Sequence, residues 1–222
     1  MFSQKILKLI LADDHAIYRD GLKLLLKKVK DVTLEVAAEA GSGAELVELA
    51  DSIQPDMVIT DIMMPGMDGI SAIRLLRKKH PQLFIIALSS FDETRMVLDT
   101  LEAGANAYLL KNTSKEEMLQ AIKAVSEGGA YYCSEVSVLL IKKIKESNLN
   151  SDKKPQVAEL TPREQEIIKL ICKGHSNKEI ATILNLSKRT VEGYREKIMS
   201  KVQARNSLDI MTYAIKNNLY KI

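Results

Sequence analysis

Five apolar runs recur along residues 1–130: KLILAD (8–13), LEVAAEA (34–40), MVITD (57–61), FIIALSS (84–90) and AYLLK (107–111). Between them lie stretches with apolar positions three and four apart: Tyr18–Lys28, Gly43–Asp51, Gly69–Lys79, Glu93–Leu101 and Lys115–Glu127. In the last stretch Met118, Ala121, Ile122 and Val125 share one helical face. Strand and helix alternating five times predict βαβ units around a parallel sheet. The strands are continuously apolar, so both sheet faces should be covered.

The pattern then changes. GGAYYCSEV (128–136) closes the alternation, and a short Lys-rich helix is expected over Glu135–Lys145. The polar, aperiodic stretch 145–159 reads as a linker. From there on everything is helical in period. Thr161 with Glu164 forms a capping box, Pro162 occupies the first helical position, and Gly174 ends that helix. Asn177–Leu184 is a second helix, residues 185–187 a tight turn, and Lys188–Val202 a third helix with Val191, Ile198 and Val202 inward. A last helix spans Ser207–Asn217. The domains are therefore expected at 5–130, with a linker carrying a short helix at 131–158 and a helical domain at 159–222.

Charge sharpens this division. Residues 1–130 hold 15 Lys+Arg against 19 Asp+Glu, a balance of −4. Residues 131–222 hold 17 against 10, a balance of +7, which suits a polyanionic partner. No run of 18 apolar residues is present, so no membrane span is expected. The N-terminus reads as a first strand and not as a signal peptide. Cys133 and Cys172 lack metal-ligand spacing and read as reduced thiols of a cytoplasmic protein.

In an open parallel sheet, chemistry gathers at the carboxyl ends of the strands. Here those ends carry Asp13 and Asp14, then Asp61, then Ser89 and Ser90, then Lys111. Three clustered carboxylates repel one another unless a cation lies among them, and oxygen ligands suit Mg²⁺. Lys111 would neutralise a further charge, and a serine hydroxyl could donate to an anionic oxygen. Together these groups can hold a phosphoryl group on a carboxylate. Pro65, Gly66 and Gly69 turn the chain sharply after Asp61.

Four segments, LADDH, VITDIMMPGMDG, ALSS and AYLLK, fall in order, and the first region resembles the receiver domain of a two-component response regulator. The resemblance implies a flavodoxin-like, doubly wound α/β sheet of five strands. It implies that Asp61 accepts a phosphoryl group from a phosphohistidine on a sensor histidine kinase. Asp13, Asp14, Asp61 and the Met63 backbone carbonyl would hold Mg²⁺, and Ser89 and Lys111 would contact phosphoryl oxygens. Ser89 and Tyr108 would form the switch that carries the change outward. Two apolar residues, Met63 and Phe91, stand two positions after Asp61 and Ser89; they depart from the family pattern and predict a slowly hydrolysed phosphoryl group.

The helical region resembles the LuxR-type helix-turn-helix at the C-terminus of NarL/FixJ-type response regulators, so the whole chain is similar to that subfamily. Lys188–Val202 would be the recognition helix, with Lys188, Arg189, Thr190, Arg195, Lys197 and Lys201 as candidate contacts to promoter DNA. Leu208 and Met211 on the last helix would pair two copies on palindromic half-sites, a homodimer formed on activation. Glu192 and Glu196 are unusual on such a helix. Either they read a cytosine, or they face sideways and pair with Arg195 or Lys188. The reading is a regulator that catalyses only its own phosphotransfer and dephosphorylation. The alternatives are a hydrolase using Asp61 as nucleophile, which lacks a second carboxylate nearer than Asp68, and a constitutive DNA binder.

Overall fold

Val58 and Ile59 lie at the middle of β3 (Met57–Asp61), a strand whose residues are all buried. Its parallel neighbours are β1 (Ile6–Ala12) and β4 (Phe84–Ser89). β2 (Thr33–Ala40) pairs with the far side of β1, and β5 (Ala107–Leu110) with the far side of β4. The sheet order is β2-β1-β3-β4-β5-β6, where β6 is only Tyr131–Tyr132, too short to leave a hydrophobic pattern. These coordinates are a computed structural model describing residues 6–27, 29, 33–90, 94–132, 159–204, 206–217 and 219–220. The expected helix at 135–145, the linker, Cys133 and Phe91 lie outside them. The chain divides into two units, Met1–Ser126 and Glu127–Ile222.

The predicted helices form as α1 (Ala16–Leu26), α2 (Gly43–Ile53), α3 (Gly69–Lys79), α4 (Thr94–Ala103) and α5 (Lys115–Ser126). α1 begins two residues before its periodic signal, because Ala16 and Ile17 face outward and carry no inward mark. Ser42 and Asp68 cap α2 and α3 by accepting from the Glu45 and Ser71 N–H groups. Gly69 is required by close approach: a Cβ there would meet the Asp61 carbonyl oxygen at 2.0 Å. Gly66 holds φ +73°, where side chains are strained.

A buried arginine ties three elements at one corner of this unit. Arg77, at the end of α3, donates to the Gly104 carbonyl and the Asn106 Oδ1. Asn106 Oδ1 also accepts from the Ile85 N–H of β4. Burial pushes the Arg77 guanidinium down to about 10.

The second unit is α-helical among its described residues past 158: α6 (Pro162–Cys172), α7 (Asn177–Leu184), α8 (Lys188–Val202) and α9 (Ser207–Lys216). Ile167, Ile168, Ile171, Ile180, Val191, Ile198 and Ile210 form its core. The predicted capping box of Thr161 and Glu164 is present, and Ser176 with Glu179 makes a second at α7. Asn185, at φ 52°, supplies the left-handed residue that turns α7 into α8. Burial alone would raise the Glu164 carboxyl, but hydrogen bonds from Lys201 and from the Thr161 N–H hold it below the ordinary value. Glu164→Ala removes both the cap and the Lys201 pair, and should cost about 2 kcal/mol in urea unfolding of the C-terminal unit. Because the carboxyl is depressed in the folded state, this contribution is present above pH 4.5 and fades as pH falls through the folded value. The difference between variant and wild type should therefore shrink in acid.

Candidate functional site

Ladder bonds bring the strand ends into line. The Ile62 N–H donates to the Leu88 carbonyl, the Lys111 N–H to the Ser89 carbonyl, and the Asp13 N–H to the Ala40 carbonyl. Parallel register thus sets Asp13, Asp61, Ser89 and Lys111 along one edge. Asp13, Asp61 and Ser89 are buried. Lys111 Nζ lies 2.7 Å from Asp61 Oδ2 and 2.7 Å from Asp13 Oδ2, bridging two carboxylates that would otherwise repel. Burial works against the charge of this ammonium, yet its bonds to Asp13 and Asp61 hold it above the ordinary lysine value.

The remaining Asp61 oxygen, Oδ1, accepts from the Met63 N–H at 3.2 Å. The Met63 side chain is half exposed. One ligand atom from each of Asp13, Asp14, His15 and Asp61 falls within 4.8 Å of the others. This donor set of three carboxylates and one imidazole fits a divalent cation. His15 was not foreseen, although it follows the acidic pair directly. Its Nδ1 is 2.7 Å from Asp14 Oδ1 and its N–H donates to Asp13 Oδ1 at 2.8 Å.

A brace stands behind the acidic loop. Arg19 donates to the Asp13 carbonyl at 2.6 Å and to Glu39 Oε2 at 2.8 Å. Hydrogen bonds from Lys23 and Arg19 hold the Glu39 carboxyl below its ordinary value. The Tyr18 ring covers Lys111, with Nζ 4.9 Å from its centroid. Ser89 Oγ lies 3.7 Å from the Met96 sulfur of α4. Tyr108 is buried in β5, 2 % exposed, so its ring already occupies the interior. Asp68 is spent as the cap of α3 and is no second acid for Asp61.

Residues 9–123 match the family model for the response regulator receiver domain, and residues 158–214 that for bacterial regulatory proteins of the luxR family. The response regulator protein VraR of Staphylococcus aureus (strain Mu3) is 34% identical over 214 residues, covering 96% of this chain and 98% of that protein. The chain belongs to the LuxR-family response regulators. Among solved structures, the response regulator ChrA of a heme-sensing two-component system is 32% identical, with TM-score 0.50 over 96% of this chain and 98% of that one. RcsB from Salmonella enterica serovar Typhimurium, bound to promoter P1flhDC in the presence of the phosphomimetic BeF3−, is 25% identical with TM-score 0.56, covering 95% and 98%.

As a DNA-binding two-component response regulator, this LuxR-family chain carries its helix-turn-helix in α7 and α8. Lys188, Arg189 and Lys197 are exposed on α8. Thr190 is exposed too, but its hydroxyl lies 2.7 Å from the capping Ser187 Oγ. Two expected DNA contacts are otherwise engaged. Arg195 is buried and donates to Ser207 Oγ at 2.6 Å, because it follows Val191 by four residues and precedes Ile198 by three on the inward face. Lys201 Nζ lies 2.8 Å from Glu164 Oε2 and donates to the Glu159 carbonyl, tying α8 to the start of α6. Leu208, expected at a dimer seam, is buried, and Met211 packs half-buried against the helical core. No helix among the described residues is long and apolar enough to cross a membrane.

Proposed function

We propose that this LuxR-family regulator is gated by phosphorylation at Asp61. The observation that carries the reading is the buried Asp61 carboxylate at the end of β3, bonded to Lys111 and set beside Asp13. A sensor histidine kinase supplies the phosphoryl group. The aspartyl oxygen forms a bond to phosphorus as the donor's nitrogen–phosphorus bond breaks. Lys111 and Ser89 then contact the phosphoryl oxygens. Asp13, Asp14, Asp61 and the Met63 carbonyl would hold a Mg²⁺, which would offset the negative charge shared by carboxylates and phosphoryl group. Ile17, exposed on α1 and lining a cavity with His15, Ser90 and Lys111, offers the donor apolar surface beside the site.

Modification adds about −1.5 to −2 of charge. Ser89 is drawn toward the new oxygens and away from Met96, which alters the start of α4. The modified form dimerises, and its paired recognition helices bind promoter half-sites through Lys188, Arg189, Thr190 and Lys197. The half-exposed Met63 side chain hinders water at the site, so the aspartyl phosphate hydrolyses slowly.

Beryllofluoride with Mg²⁺ tests the gate. It should shift the full-length protein toward dimer and raise its affinity for promoter DNA about tenfold or more. Unchanged mass and unchanged affinity would favour a constitutive binder. Steady turnover of small phosphate esters would favour a hydrolase.

A further inference from the structure

The outward face of α8 carries two carboxylates in a helix otherwise suited to a polyanion, and their surroundings differ. Glu192 lies 3.9 Å from Lys188, one turn away, in an ion pair. Glu196 is exposed and has no ion pair among the described residues. The buried side of α8 is set by Val191, Arg195 and Ile198. At about 100° per residue, Glu196 falls about 50° from the centre of the opposite face, and Glu192 about 90° from it. Arg189, Gly193 and Ser200 lie closer to that centre, beside Glu196.

Gly193 adds a second observation. A Cβ at this position would meet nothing within 4 Å, so packing inside the protein does not require glycine there. Glycine in mid-helix is destabilising relative to alanine. A bare backbone there would let the helix approach an outside surface closely.

We propose that Glu196 reads a cytosine, accepting a hydrogen bond from its N4 amino group in the major groove. The proposal rests on the reading of α8 as the recognition helix. A free carboxylate among phosphates is repelled and weakens binding to arbitrary sequence. It gains only where it meets a donor, and the major groove offers the amino groups of cytosine and adenine alone. In adenine that donor adjoins the N7 acceptor, which repels the second carboxylate oxygen. In cytosine it adjoins a C–H. Lys188, Arg189 and Lys197 hold the backbone while Glu196 discriminates.

The experiment is binding-site selection from a randomised duplex library with beryllofluoride-treated full-length protein. The wild type should enrich a motif with cytosine fixed at one position of each half-site. Glu196→Gln should relax that position, lowering cytosine discrimination on the order of tenfold, and should bind unselected duplex more tightly. Glu192→Gln should return the wild-type motif. The proposal is overturned if Glu196→Gln selects the same motif with the same preference at every position, or if Glu192→Gln is the variant that relaxes it. A wild type that enriches no motif at all overturns instead the assignment of α8 as a base-reading helix. Glu196 is exposed, so its substitution leaves the fold in place, and helical circular dichroism checks this.

Discussion

Asp61→Asn should abolish phosphoryl transfer from acetyl phosphate while the protein stays folded. Asparagine preserves the shape of the side chain and its bond from the Met63 N–H. It loses the charged oxygen that attacks phosphorus, so incorporation should fall about 10³-fold, to background. Lys111 retains Asp13 as a partner at 2.7 Å, which leaves no buried ammonium stranded. Intact-protein mass spectrometry after incubation with acetyl phosphate and Mg²⁺ reads the result directly. DNA affinity in the variant should no longer respond to the phosphodonor. Labelling at the wild-type rate, or a phosphoryl group mapped to Asp13 or Asp14, would remove Asp61 from the acceptor's role.

Lys111→Met has the next largest effect, and it concerns stability. The ammonium stands between Asp13 and Asp61, whose side chains are only 1% and 3% exposed. Taking it away leaves two buried carboxylates facing one another. With the partial exposure of the lysine allowed for, the cost should be about 2 kcal/mol in urea unfolding without divalent metal. Millimolar Mg²⁺ should recover most of it, because the cation enters the same acidic cluster. The wild type supplies a pH control. The folded Lys111 is held above the ordinary value of 10.5, so its contribution is complete below that pH. It disappears as pH rises through the folded value, and wild type and variant should converge there. Equal stabilities at neutral pH, with or without Mg²⁺, would mean that the two short contacts contribute nothing.

The sheet was legible in the sequence because buried parallel strands are continuously apolar, as in MVITD and FIIALSS. Their polar ends were legible for the same reason: an acid or a lysine closing such a run stands out. His15 and the Arg19–Glu39 brace were not, since nothing local says that residues 20 positions apart meet. That contact needs the register of β1 against β2. Arg195 is a different case. Its spacing from Val191 and Ile198 points it inward, where it is buried and bonded to Ser207, while its charge alone suggests a DNA contact. Lys201, on the same helix, likewise pairs within its own unit, with Glu164.

The corner held by Arg77 bears on how a signal would leave the proposed phosphorylation site at Asp61. That guanidinium fastens the residues just beyond α4 to β4 and to the end of α3. The opposite end of α4 carries Met96, against the Ser89 hydroxyl. A rod pinned at one end and nudged at the other cannot slide; it swings. On the proposed switch, a small displacement of Ser89 would become an angular sweep of a helix about 15 Å long, with Gly104 as its fulcrum.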